Sequence, residues 1–128
     1  MSTRWFWAVL AAAVALSAAP LPRAGGDGAA AEREFFEERV RPVLEKNCVL
    51  CHGGAKTRNG LEVTSRAALL KGGRRGPAVV PGDPGRSLLI RALHYDGDVR
   101  MPPKGKLDAR QIADLTEWVK RGAPWPAR

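Results

Sequence analysis

Cys48 and Cys51 are the only cysteines of the 128-residue chain, and His52 follows the second directly in "NCVLCHGG". Two thiols and an imidazole so arranged can serve four chemistries: a disulfide, a redox dithiol, a metal site or the covalent anchoring of haem. A disulfide here would close a very short loop and remove little chain entropy. A redox pair is expected to open a helix after a strand in an α/β pattern, whereas these thiols close a helix. Structural zinc takes four ligands, and beyond Cys48, Cys51 and His52 the chain offers only His94 as a further nitrogen or sulfur ligand of the usual kind. Haem attachment meets every constraint. Positions i and i+3 share a helix face, so both thiols can reach one edge of the macrocycle and add to its vinyl groups as thioethers. C-x-x-C-H is itself the attachment signature. His52 is then the proximal iron ligand, with its other ring nitrogen expected to donate to a backbone carbonyl and fix the tautomer.

A six-coordinate iron needs a second ligand from the opposite face. Apart from Met1, Met101 is the only methionine, and it stands in "VRMPPKGKL", where two prolines stiffen the chain behind it. In an arbitrary domain a methionine is a gap-filling core residue. Downstream of a haem anchor and before a Pro-Pro step, ligation is the better reading. His94, in "RALHYDGD", is the competing distal ligand and would lower the redox potential relative to His/Met. Its place at a helix end beside Tyr95 and Asp96 also suits a solvated histidine.

Helices and loops must position these groups. "EREFFEERVRPVLEKNC" carries Phe36, Val40, Val43 and Leu44 at helical spacing and delivers the chain to Cys48. Pro42 interrupts it, as a kink or as the first turn of a second helix. After His52 the chain is turn-rich, with a brief extended piece at Leu61–Thr64. Ser65 is placed to cap a short helix through Leu70, stopped by Gly72 and Gly73. "GGRRGP" lacks the Lys-Ser/Thr and the preceding strand of a phosphate loop and is expected on the surface. Asp83, with Pro84 behind it, is expected to cap a helix running to about Leu93. The last helix is the best specified: Asp108 and Gln111 form a capping box, Leu107 and Ile112 a staple, and Leu115, Trp118 and Val119 continue the stripe until Gly122 and Pro124 end it. Phe35, Phe36 and Trp118 are expected to join the first and last helices, with Trp125 over an apolar edge. The result is an all-α domain of about four short helices and long loops.

"MSTRWFWAVLAAAVALSAAP" has one early charge, Arg4, and then an uncharged apolar run that is short for a bilayer span. Residues 1–19 are expected to be a signal peptide, with an uncleaved anchor as the alternative. Residues 20–31, rich in Gly, Ala and Pro, read as a flexible linker, and 32–128 as the folded domain. Export to the periplasm or cell envelope follows, with membrane contact only if the segment stays uncleaved. Lys and Arg number 21 against 13 acids, a net charge of +8. The excess is scattered without a basic run, which disfavours nucleic acid and suits an acidic protein partner. No paired carboxylates, Ser-His pair or spare thiol point to an enzyme.

From about Phe35 to Pro126 the chain resembles the planctomycete-type cytochrome c domain, a branch of the class I cytochrome c fold. The resemblance lies in "VRPVLEKNCVLCHG", "GLEV", "GPAVVPGDPGRSLLIRAL", "MPPKGKL" and "IADLTEWVKRGAPWP". It implies one covalently attached haem c, held by Cys48 and Cys51 with His52 proximal and Met101 distal. The expected function is single-electron transfer through Fe(III)/Fe(II), with Lys104, Lys106, Arg74 and Arg75 helping to dock an acidic redox partner. Two other classes stay open: a haem sensor or enzyme with an open iron position, and a haem-stapled interaction module.

Overall fold

The computed structural model describes residues 25–55 and 57–128, so the expected signal peptide and the start of the expected linker lie outside the described residues. The first element, α1 (Gly26–Phe35), begins inside the stretch read as linker. Its alanines favour the helix and Asp27 suits the N-terminal dipole, yet Gly25–Ala31 are fully exposed and burial starts only at Glu32. A π-helical turn, Phe36–Val40, follows and leads directly into α2 (Arg41–Asn47). Pro42 explains the change of winding. It has no N–H for the Glu38 carbonyl, and its ring would clash with that carbonyl in a regular α-helix. The wider turn relieves both problems, with Arg41 N–H bonded to the Phe36 carbonyl five residues back. Pro42 therefore sits in the first turn of a second helix, and the winding stays helical across the join.

This run packs against α6 (Ala109–Lys120). The capping box forms as the sequence requires: Gln111 N–H donates to Asp108 Oδ1 at 2.8 Å and Gln111 Oε1 accepts from Asp108 N–H at 3.4 Å. Ile112, Leu115, Trp118 and Val119 are buried against Phe36, Val40, Val43 and Leu44. The Phe36 ring lies 6.0 Å from Trp118 and 4.7 Å from Trp125, and Trp118 Nε1–H donates to the Pro124 carbonyl at 2.8 Å. Each large side chain buried here contributes about 1.5–3 kcal/mol. The exposed ion pairs Arg39–Asp114 (3.5 Å) and Arg121–Glu32 (3.3 Å) add little beside that. Phe35 departs from expectation: it stays half-buried at the edge, beneath the Arg121 guanidinium 4.2 Å above its ring.

Between these helices lie α3 (Val49–His52), α4 (Arg66–Lys71) and α5 (Leu88–His94). Ser65 caps α4, accepting from Ala68 N–H at 3.1 Å. Asp83 does not open α5. It caps a separate 3₁₀ turn, Pro84–Arg86, and the chain breaks at Ser87 before α5 starts. The break is stabilised by the buried Ser87 hydroxyl, which accepts from Val80 N–H (2.9 Å) and donates to the Asp83 carbonyl (2.8 Å). Leu61–Thr64 is extended at its start but joins no sheet, and among the described residues the only bridge is Gly73–Gly76. The fold is all-α, with long loops between short helices. No helix among the described residues is long and apolar enough to cross a membrane.

Candidate haem site

Cys48 ends α2 and opens α3, in a conformation (φ −121°, ψ −42°) outside the helical basin. Its amide still bonds back to Leu44 (2.9 Å), and its carbonyl accepts from both Cys51 N–H (3.2 Å) and His52 N–H (2.9 Å). One short turn thus fixes all three groups relative to each other. Both thiols are free and half-buried. Burial pushes the Cys48 thiol up to about 11, so it stays protonated at neutral pH, unlike the low-pKa thiol of a redox dithiol. Gly53 closes the turn tightly, where a Cβ would lie 2.7 Å from the Val49 carbonyl oxygen.

The imidazole is held by the following loop. His52 Nδ1 lies 3.1 Å from the Leu61 carbonyl, and the His52 carbonyl accepts from Val63 N–H at 2.8 Å. A carbonyl can only accept, so Nδ1 carries the proton and Nε2 keeps its lone pair for a metal. The loop is braced in turn. Its 3₁₀ turn, Arg58–Gly60, uses the Asn59 carbonyl to accept from Arg74 N–H at 3.0 Å. Arg74 belongs to the Gly73–Gly76 turn, whose amides and carbonyls pair at 3.2 and 3.0 Å. Gly72 enters that turn at φ 70°, with room for no side chain: a Cβ would sit 1.9 Å from the Gly76 carbonyl oxygen. "GGRRGP" therefore has a structural duty that its polar surface character did not reveal.

Met101 is half-buried in the loop after α5, with its N–H bonded to the Ala92 carbonyl at 3.1 Å. Three residues on, Lys104 reaches an open cleft of about 490 Å³ that is also lined by Leu50, Cys51, Thr57 and Arg58. The structure thus brings the Met101 loop and the Cys51 turn to a common cleft, although neither the Met101 nor the His52 side chain lines it. His94 is exposed at the last position of α5 and does not line the cleft. Of the expected docking cations, Arg74, Arg75, Lys104 and Lys106 are all exposed, but only Lys104 borders the cleft. Arg58 and Leu50, which is 89% exposed, border it and were not singled out by charge patterning. A larger cavity of about 560 Å³ lies between α2–α3 and the Trp125–Arg128 segment and includes none of Cys48, Cys51, His52 or Met101.

Among the described residues no three His, Cys, Asp or Glu side chains gather as a metal-binding group. The donor set does fit haem: two thiols one turn apart, an imidazole with Nδ1 already engaged, and a thioether on a tethered loop.

Short helices carrying two thiols and an oriented imidazole on one turn are the parts from which a c-type cytochrome is built. Residues 48–105 match the family model of Planctomycete cytochrome C, so this segment is similar to a cytochrome c domain of that type, a class that binds haem c covalently. The match begins at Cys48 and ends at Gly105, so it holds the attachment turn and the Met-Pro-Pro segment. The run over residues 36–47 and α6, included in the resemblance read from the sequence, fall outside it. Comparison of the chain with curated proteins and with solved structures gave no match.

Proposed function

We propose that the protein is an exported mono-haem cytochrome that carries single electrons, with His52 and Met101 as axial ligands. The observation that carries this reading is the His52 Nδ1–Leu61 carbonyl hydrogen bond on the same turn as the two thiols. Bound through these residues, haem c supplies a one-electron Fe(III)/Fe(II) couple. Cys48 and Cys51 would hold it as thioethers, which would keep the cofactor through every cycle. His52 presents Nε2, and its Nδ1–H contact to a neutral carbonyl fixes ring orientation without removing the proton. Met101, on a loop tied to α5, offers the weaker thioether ligand that raises the potential. With His52 and Met101 both engaged as ligands, the residues would favour outer-sphere transfer over substrate binding at iron.

The cleft supports the docking part of the proposal. Leu50 gives an apolar centre, and Arg58 and Lys104 stand beside it with positive charge, a combination suited to brief contact with an acidic redox partner. Export is proposed from the apolar N-terminal segment, and membrane contact only where that segment is retained.

The test is an absorption spectrum of protein produced in a host that attaches c-type haem. The oxidised form is expected to show a sulfur-to-iron charge-transfer band in the near-infrared, absent in Met101→Ala. Protein from such a host with no covalent haem would overturn the reading entirely. A band that persists in Met101→Ala would overturn the distal ligand alone.

A further inference from the structure

Tyr95 stands where α5 ends and the loop carrying Met101 begins. It adopts a left-handed backbone (φ 63°), a conformation that bulky side chains rarely take without compensation. That turn throws the half-buried ring back toward the far end of its own loop, where the hydroxyl donates to the Pro102 carbonyl. The Ala92 carbonyl, in the last turn of α5, accepts from both Tyr95 N–H (3.3 Å) and Met101 N–H (3.1 Å). Residues 95–102 are therefore closed at two points, one through the main chain and one through the phenol. Met101 lies between the two anchors: its own amide is held by Ala92 and the carbonyl of the next residue by Tyr95. Beyond them Gly105 N–H bonds to the same Pro102 carbonyl at 3.3 Å, so the phenol also steadies the start of the segment leading to Lys104.

We infer that Tyr95 is a positioning residue that sets how firmly Met101 is presented as a ligand. The inference rests on the proposed ligation by Met101. A thioether is a weak ligand, and its hold on iron depends on how little the loop gains by swinging away. The Ala92 contact restrains one side of Met101 only. With the phenol lost, the Pro102 carbonyl keeps a single main-chain partner and the loop opens from its far side. The left-handed turn at Tyr95 is the local cost of aiming the ring at that carbonyl.

The experiment compares wild type, Tyr95→Phe and Tyr95→Asn as haem-loaded protein, with Met101→Ala as reference. Asparagine accepts the left-handed conformation readily, so Tyr95→Asn keeps the turn while removing the phenol. Imidazole, which must displace the sulfur, is titrated into the ferric protein. Both Tyr95 variants are expected to bind it about tenfold more tightly than wild type, the worth of one hydrogen bond. In denaturant, their near-infrared sulfur band is expected to vanish well before the far-ultraviolet helical signal, whose midpoint stays near that of wild type. Wild-type imidazole affinity in Tyr95→Phe would overturn the inference, as would band and helix signal moving together. Absence of the band in wild type would instead overturn Met101 ligation, and the inference with it.

Discussion

The two halves of this molecule are held by different forces. Where α1–α2 crosses α6, stability comes from buried area: Phe36, Val40, Leu115, Trp118 and Val119 are sealed from solvent, and the polar contacts around them are peripheral. The side of the site adds Val63, Leu69, Val79 and Leu93 to the same core, but its functional groups lie at the margin, with Cys48, Cys51, His52 and Met101 only partly buried. The Cys48–His52 turn, the Arg58–Gly60 turn and the Met101 loop are positioned by a few hydrogen bonds each, among them His52 Nδ1–H to the Leu61 carbonyl, Arg74 N–H to the Asn59 carbonyl, and Met101 N–H to the Ala92 carbonyl with the Tyr95 hydroxyl to Pro102. Burial is forgiving, because many contacts share the load. A few hydrogen bonds at the margin have less redundancy, and a covalent cofactor would add support at that place.

That contrast can be broken from either side. Trp118→Ala should cost about 3–5 kcal/mol, read as a lower denaturant midpoint, because it empties the aromatic cluster with Phe36 and Trp125. The loss should be global, with amide exchange accelerated throughout. Gly72→Ala should cost about 1–3 kcal/mol, since φ 70° and the Gly76 carbonyl leave no room for a Cβ. Its signature should be local: faster amide exchange over residues 57–76 and a shifted His52 ring resonance, with α6 protection kept. Equal losses of protection in α6 and in the loops would contradict the division.

The smallest effect concerns the Glu37–Arg41 pair. Arg41 donates twice to Glu37, at 2.6 and 2.9 Å, while its guanidinium lies over the Phe36 and Trp125 rings. Its side chain is only 12% exposed. The hydrogen bonds from Arg41 hold the Glu37 carboxyl below its ordinary range. A carboxyl lowered on folding stabilises the protein above its unfolded pKa, and that contribution fades as pH falls through the folded value. Glu37→Gln should therefore be slightly less stable than wild type at neutral pH. The difference should shrink as the solution is acidified below the carboxylate range, as followed by thermal melts across pH. A constant difference would mean that the pair acts through packing alone.

Much of the first half was legible in the sequence because its signals are local. Asp108 and Gln111 announce a helix start by side-chain chemistry, Ser65 does so for α4, and the stripe of Ile112, Leu115 and Trp118 declares its buried face. In the second half the donor types and their spacing could be read, but not their supports. The acceptor for His52 is a main-chain carbonyl, which any residue at position 61 would provide. The brace from Asn59 to Arg74 is likewise main chain to main chain. Ser87 also escaped reading, because a serine after "DPGR" fits a continuing helix as well as a buried hydroxyl that closes a loop. Phe35 beside Phe36 carried the same apolar signal, and only the packing decided which ring went inside.

The Leu61 carbonyl has an effect on how the protein can vary. Since the group that orients the imidazole belongs to the peptide bond, no exchange of the residue 61 side chain deletes it. Under the proposed ligation, the contact that orients His52 is thereby shielded from ordinary point mutation, whereas the Met101 side would depend on a tyrosine that one nucleotide change can replace. Heritable tuning of such a site would then fall on the Met101 side, while the support of His52 is inherited as backbone.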